Sequence, residues 1–174
     1  DVNVALANEL AQICTLWCSD AWQVMELANK HPRVQFHSPG PGVGGHCLPV
    51  DPWFLVTSAP KTSRLISLSR EINDAQPALV TQQVIKLLGN ISEPKVAILG
   101  VAYKADIDDT RGTPALTIIQ NLNAAGVHLD VHDPHVKIFP VAISDLSHAL
   151  TGADMAVLLT DHREYRELDP TLVG

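Results

Sequence analysis

The sequence predicts an α/β chain in which a helical amino-terminal half precedes a parallel, doubly wound sheet. Two observations carry that expectation. Apolar residues recur at helical spacing from residue 1 to about residue 88, interrupted by one stretch rich in glycine and proline. From Glu93-Pro94 onward the pattern changes to short apolar runs separated by helical ones. With 174 residues and 46% apolar content the chain can bury a core, as one large domain or two small ones, and the change of pattern divides it into 1–92 and 93–174.

Each element has its own signal. Val4, Ala7, Leu10, Cys14, Trp17 and Ala21 form one helical stripe between Asp1 and about Lys30, and Leu6, Ile13 and Leu16 add a second apolar flank. A surface that wide predicts a helix covered by more than one neighbour, including another subunit. Ser19-Asp20 is placed to cap a restart through Trp22, Met25 and Leu27, which His31-Pro32 ends. Residues 38–52 hold four of the 10 glycines together with several prolines, so they form an ordered loop. Pro52 to Thr57 reads as a helix with proline at an early position, and Ser63 to Leu88 as a long helix kinked at Pro77.

In the second half, KVAILG (95–100) is a short apolar run ending in glycine, a buried strand. TPALTIIQNLNAAG (113–126) is a helix with Thr113 as cap, Pro114 at its first position and Gly126 as its stop. VHLDVHDP (127–134) alternates as a strand, a short helix spans about Asp145 to Leu150, and ADMAVLLTD (153–161) supplies a third buried strand. Strands alternating with helices in this way give a Rossmann-like sheet.

Composition excludes some functions. A net charge of −7, from 12 Lys+Arg against 19 Asp+Glu, supplies no basic face for a nucleic acid. No apolar run reaches the roughly 18 residues that a membrane span needs. Three cysteines, an odd number in a chain large enough to do without staples, point to a reducing cytoplasm. Cys14 and Cys18, four apart on an apolar face, read as small buried hydrophobes.

The stretch GPGVGGHCLPVDP (40–52) raises three readings. Gly40, Gly42 and Gly45 satisfy the spacing G-x-G-x-x-G, but they follow HSP instead of a strand and lead into HCLPVDP instead of a helix. That context fails for a dinucleotide fingerprint, although such a loop can still bring backbone amides close to an anion. For a metal, His37, His46 and Cys47 cluster, and His128, His132 and His135 surround a strand end, but no C-x-x-C exists and the later histidines face both sides of a strand. No metal is expected. For a nucleophile, Cys47 sits among glycine, proline and histidine with Asp51 four residues on, a rigid polar setting unlike the core that holds most lone cysteines. Lys104 and Arg111 lie on VAYKADIDDTRGT, at the carboxyl edge of the sheet, where they can meet phosphate or carboxylate; salt bridges to Asp106, Asp108 and Asp109 are the alternative.

PGPGVGGHCLPVDPWFLV, the Glu71-Ile72-Asn73-Asp74 run of the next helix and VAILGVAYKADIDDTRGTPA together resemble the nucleotide-sugar 6-dehydrogenases of the UDP-glucose/GDP-mannose dehydrogenase family, over nearly the whole chain. NKHPRV and DPWFLV look most like the UDP-N-acetylmannosamine branch, with UDP-N-acetylglucosamine and UDP-glucose as alternative substrates. The resemblance implies NAD-dependent oxidation of the sugar's C6 alcohol to the uronate, in two hydride transfers, for surface polysaccharides. It implies that Cys47 carries a thiohemiacetal and then a thioester while Asp51 assists the water or proton steps. It implies further that Gly40, Gly42 and Gly44 wrap the substrate, that Tyr103 and Lys104 hold the UDP-sugar, and that Arg111 reaches the NAD phosphates. His31 and Arg33 match contacts made to a neighbouring subunit's substrate, which assigns the apolar surface of residues 1–30 to a homodimer.

Relatives of this kind carry an upstream NAD-binding domain and, just before the position of Asp1, a catalytic lysine and asparagine, and their sheet continues to a further substrate arginine. Cys18-Ser19 stands where they usually have glycine and a small apolar residue, and Gly112 replaces an acidic one. The expectation is therefore the helical middle and a truncated Rossmann-like UDP-binding end of a cytoplasmic enzyme, inactive alone. From a different class, the alternative is a dimerising UDP-sugar-binding module without chemistry.

Overall fold

The computed structural model describes residues 1–169 and 171. Contacts divide the chain into two units, one of residues 1–42 and 47–76 and the other of residues 43–46 and 77–174.

The first unit is helical. Helix α1 (Val2–Leu16) buries Ala5, Ala7, Asn8 and Cys14. It stops because Cys18 adopts a left-handed backbone, with φ of 53°, while the Ser19 N–H returns to the Cys14 carbonyl at 2.9 Å. Cys18 is consequently exposed, which corrects the reading that pairs it with the buried Cys14. Spacing of i,i+4 shares a face only while the helix lasts. Asp20 then caps α2 (Ala21–Asn29), its carboxylate accepting the N–H groups of Trp22 and Gln23. Helix α3 (Asp51–Ser58) carries Pro52 in its first turn, where a missing N–H costs nothing. Helix α4 (Arg64–Leu88) holds Pro77 inside it, and the two units divide between Gln76 and Pro77.

The second unit is built on a three-stranded parallel sheet in the order β2-β1-β3. Strand β1 (Lys95–Leu99) pairs Val96 with Leu129 of β2 (His128–His132) and with Met155 of β3 (Met155–Leu158). Helix α5 (Pro114–Ala124) joins β1 to β2, and α6 (Leu146–Leu150) lies between β2 and β3. The chain thus leaves β1 on one side and returns past it to the other, and right-handed crossovers then place the helices on opposite faces. The core confirms it, because side chains alternate along a strand. Val96 and Ile98 pack with Ile118, Ile119 and Leu122 of α5, whereas Ala97 and Leu99 pack with Ala149 and Leu150 of α6. The Thr113 hydroxyl caps α5 by accepting the Ala115 N–H, as its position predicts.

Strand β3 departs from expectation. Its apolar run reads as buried, but it lies at the edge of the described sheet and Leu158 is 53% exposed. Among the described residues no helix is long and apolar enough to cross a membrane.

The two-faced core predicts unequal costs of truncation. Ile118 is fully buried, so Ile118→Ala is expected to lower unfolding free energy by about 2–5 kcal/mol, while Leu158→Ala changes it by no more than about 1 kcal/mol. Urea titration of both variants checks this, and equal losses would contradict the assignment of β3 to the edge.

Candidate functional site

The loop that carries the glycines is held by close backbone contacts. Within the second unit, a Cβ on Gly44 would lie 2.4 Å from the Tyr103 Cβ, and one on Gly45 would rest against the Tyr103 ring at 3.5 Å. The Gly45 N–H donates to the Arg111 carbonyl at 2.8 Å, and a Cβ on Gly112, whose φ is 59°, would come within 2.6 Å of the Gly45 carbonyl oxygen. At Gly44 and Gly112 a side chain would block the approach, whereas at Gly45 there is room for a Cβ and the left-handed φ of 88° is what favours glycine. This brings two of the expected substrate residues, Gly44 and Tyr103, into contact.

In the first unit, Gly40 donates its N–H to Asn8 Oδ1 at 2.9 Å. Asn8 Nδ2 donates in turn to Asn73 Oδ1 at 3.0 Å, and Asn73 Nδ2 to Asp1 Oδ1 at 3.1 Å. The buried Arg70 completes this polar core through ion pairs with Asp1 and Asp74 and a 3.4 Å bond from Nη1 to the Leu48 carbonyl. Both the entry of the loop at Gly40 and its exit at Leu48 are thus tied to one network on α1 and α4. Such a network is costly to bury and holds its geometry only when its partners are present.

Cys47 and Asp51 are both exposed. The Cys47 carbonyl accepts the N–H groups of Val50 at 3.0 Å and Asp51 at 2.8 Å, a single helical turn that runs into α3. This turn sets Cys47 four residues ahead of Asp51, with the thiol and the carboxylate both open to solvent. His31 and Arg33 are exposed as well; with Asn29, Pro32, Val34 and Gln35 they line an open cavity of about 490 Å³. Asn29 fixes the chain that returns from this turn, exchanging hydrogen bonds with the backbone of Phe36 at 2.6 and 3.2 Å. Gly42, with φ of 142°, marks where the chain passes from the first unit into the second.

Lys104 is exposed and Tyr103 half-buried on the loop after β1. Arg111 grips Asp109 through Nε, at 3.0 Å from both carboxylate oxygens, and through Nη2 at 2.6 Å. These bonds and the Arg111 N–H hold the Asp109 carboxyl down at about 2.

A second set of groups under this loop had no signal in the spacing of residues. Asp133, at the end of β2, accepts the Val101 and Ala102 N–H groups on Oδ2, at 2.7 and 3.2 Å, and those of His135 and Val136 on Oδ1, both at 2.9 Å. Burial pushes its carboxyl up, but these backbone donors outweigh burial and hold it below the usual carboxylate range. His162, fully buried, accepts the Asp106 N–H on Nδ1 at 2.9 Å, which places the ring proton on Nε2, 3.1 Å from Asp133 Oδ2. Asp106, His135, His162 and Glu164 also bring one ligand-type atom each within 4.8 Å of one another. His162 has both nitrogens engaged and Asp106 is bonded three times by Arg163, so a cation would have to break those bonds.

Comparison with known proteins places both halves of the chain in one family. Residues 1–75 match the central domain of the UDP-glucose/GDP-mannose dehydrogenase family, and residues 97–174 match its UDP binding domain. The chain is 45% identical to an NDP-N-acetyl-D-galactosaminuronic acid dehydrogenase of Ralstonia nicotianae, over 97% of this chain and 41% of that protein. It is 43% identical to a UDP-N-acetyl-D-mannosamine dehydrogenase of Methanocaldococcus jannaschii, over 97% and 39%. The structure of a UDP-D-ManNAc dehydrogenase from Pyrococcus horikoshii superposes with a TM-score of 0.90 at 40% identity, covering 97% of this chain and 40% of that one. The chain thus spans about 40% of the length of these relatives.

Two outcomes follow from the geometry. Gly112→Ala forces a side chain into the Gly45 carbonyl at a left-handed backbone, so it is expected to cost about 1–3 kcal/mol of unfolding free energy and to raise proteolytic cleavage near residues 43–46. An unchanged digestion pattern would contradict the backbone contact. Because the Asp133 carboxyl titrates lower in the folded than in the unfolded chain, its stabilisation is present above about pH 4 and lost as pH falls below that. Asp133→Asn should therefore flatten the acid limb of stability against pH, measured by denaturant unfolding.

Proposed function

Because the chain belongs to the UDP-glucose/GDP-mannose dehydrogenase family, we propose that it supplies the nucleophile-bearing and UDP-sugar-binding parts of an NAD-dependent nucleotide-sugar 6-dehydrogenase. The observation that carries the reading is the exposed Cys47 thiol, one helical turn from the exposed Asp51 carboxylate, on a loop whose two ends are tied to a buried polar core. Residues 1–92 are the nucleophile-bearing and dimerising region, and residues 93–174 the UDP-sugar-binding region.

NAD supplies the acceptance of hydride, two equivalents for each uronate made. Among the described residues only Arg111 is assigned to it: at the end of β1, where a phosphate loop would start, the Gly100 N–H is already donated to the His132 carbonyl at 2.8 Å, and a Cβ there would lie 2.6 Å from the Thr160 Cβ. The chemistry of this chain's own residues is covalent. The Cys47 thiolate adds to the C6 aldehyde of the sugar, forming the C–S bond of a thiohemiacetal, whose oxidation leaves a thioester. Water then adds at C6 as Asp51 takes one of its protons, the C–S bond breaks to release the thiolate and the carboxylic acid, and the acid gives its remaining proton to solvent to leave the uronate.

Tyr103 and Lys104 hold the diphosphate and sugar, an ammonium and a phenol being suited to phosphate oxygens; Gly42 and Gly44 give the substrate access to backbone, while Gly40, its N–H given to Asn8, sets the path of the loop that wraps it. Exposed Leu16, Trp17, Trp22 and Leu27 form an apolar surface in the first unit that a second copy covers, which brings His31 and Arg33 to the partner's substrate. UDP-N-acetylmannosamine is the proposed substrate, on the strength of the relatives named so, and the product serves cytoplasmic synthesis of surface polysaccharide precursors.

In the longer protein to which these relatives correspond, Cys47→Ala is expected to lower uronate formation by at least about 1,000-fold while UDP still binds. Rate assays with NAD and UDP-N-acetylmannosamine, paired with UDP calorimetry, check this; uronate formation that survives the substitution would overturn the assignment.

A further inference from the structure

Asp133 and His162 take no part in the chemistry of Cys47, and neither can touch a ligand, since both side chains are fully buried. Between them they hold the segment that presents Tyr103 and Lys104. Asp133 Oδ2 takes the Val101 and Ala102 N–H groups on one side of that pair, and His162 Nδ1 takes the Asp106 N–H on the other. The two side chains are themselves joined through Nε2 of His162. Residues 103–105 are thus a short bridge whose two footings meet in one buried hydrogen bond.

The surroundings leave the pair little freedom. The His162 ring packs against those of His135, with centroids 4.8 Å apart, and Tyr165, at 5.8 Å. Thr160 adds a third fastening, its hydroxyl donating to the Ala102 carbonyl at 2.6 Å. At Asp106 the backbone is left-handed, with φ of 61°, a conformation unusual for a residue with a side chain; it turns the N–H toward His162 while the carboxylate takes Arg163. Without the acceptor at Nδ1, the bonds that remain to Asp106 among the described residues are those with the exposed Arg163.

We infer that Asp133 and His162 are positioning residues for UDP-sugar binding, a buried carboxylate–imidazole pair that sets the backbone of residues 101–106 and through it the Tyr103 ring and the Lys104 ammonium. The inference rests on the proposed role of that loop, but its footing is read independently of any ligand. Since His162 needs one nitrogen as acceptor and the other as donor, glutamine, which offers both a carbonyl oxygen and an amide, is the conservative replacement, and leucine the disruptive one.

The test compares the full chain with its His162→Leu and His162→Gln variants by amide hydrogen exchange and by calorimetry with UDP. In His162→Leu, the amides of Val101, Ala102 and Asp106 are expected to exchange at least about tenfold faster, while Val96 and Ile98 in β1 stay as slow as before, and UDP binding weakens by about tenfold; His162→Gln recovers most of both. Unchanged loop exchange overturns the inference, and so does equal acceleration in β1, which would make His162 a general stabiliser. Should His162→Leu not fold, Asp133→Asn is read in the same way, with the same loop-specific acceleration expected. Wild-type chain that does not bind UDP ends the functional reading, while the exchange rates still decide the positioning of the loop.

Discussion

A carboxylate without water around it is the constraint on which the second unit depends. Asp133 is buried, and a bare charge there would be prohibitively costly, so the fold must bring donors to it from several directions. Four come from the backbone, two on each oxygen, and a fifth from His162. Those donors belong to the loop after β1, to the turn after β2 and to the segment after β3. Satisfying one side chain therefore fixes the carboxyl ends of all three strands, which in a doubly wound sheet is where ligands are met. Charge-assisted bonds to backbone donors are short and directional, so they hold position better than apolar packing alone.

The first unit uses the opposite charge for a similar end. Arg70 is 1% exposed and must be neutralised where it lies, by Asp1 on α1 and Asp74 on its own helix, with the Leu48 carbonyl as a further acceptor. Asn73 and Asn8 extend the network to the Gly40 amide. A loop rich in glycine is intrinsically floppy, because glycine loses more backbone freedom on ordering than other residues. Anchoring both of its ends to one buried network is how such a loop can present a cysteine in a defined place.

What could be read from the sequence, and what could not, divides along locality. Strand β1, the Thr113 cap of α5, the Asp20 cap of α2 and the early proline of α3 were legible, since each depends on residues within a few positions of one another. Cys47 and Asp51 were legible as candidates from the loop's composition. The break before Asp20 was legible, but not the way α1 ends, because a left-handed Cys18 leaves no pattern in spacing. The exposure of β3 was not, because an apolar run looks the same at the edge of a sheet as at its centre. Gly44 and Gly112 could be counted but not explained, for their reason is a contact between segments some sixty residues apart. Asp133 and His162 were silent for the same cause, apart from an aspartate followed by proline at a strand end, a weak sign of a structured turn.

The covalent intermediate tests the account most directly. If Asp51 takes the proton of the attacking water, then Asp51→Asn in the longer enzyme should stall after acylation, and intact-mass and peptide spectrometry during turnover of UDP-N-acetylmannosamine with NAD should find the sugar nucleotide bound as a thioester on the peptide that contains Cys47. An adduct at Cys14 or Cys18, or uronate released with no adduct at any cysteine, would contradict the account.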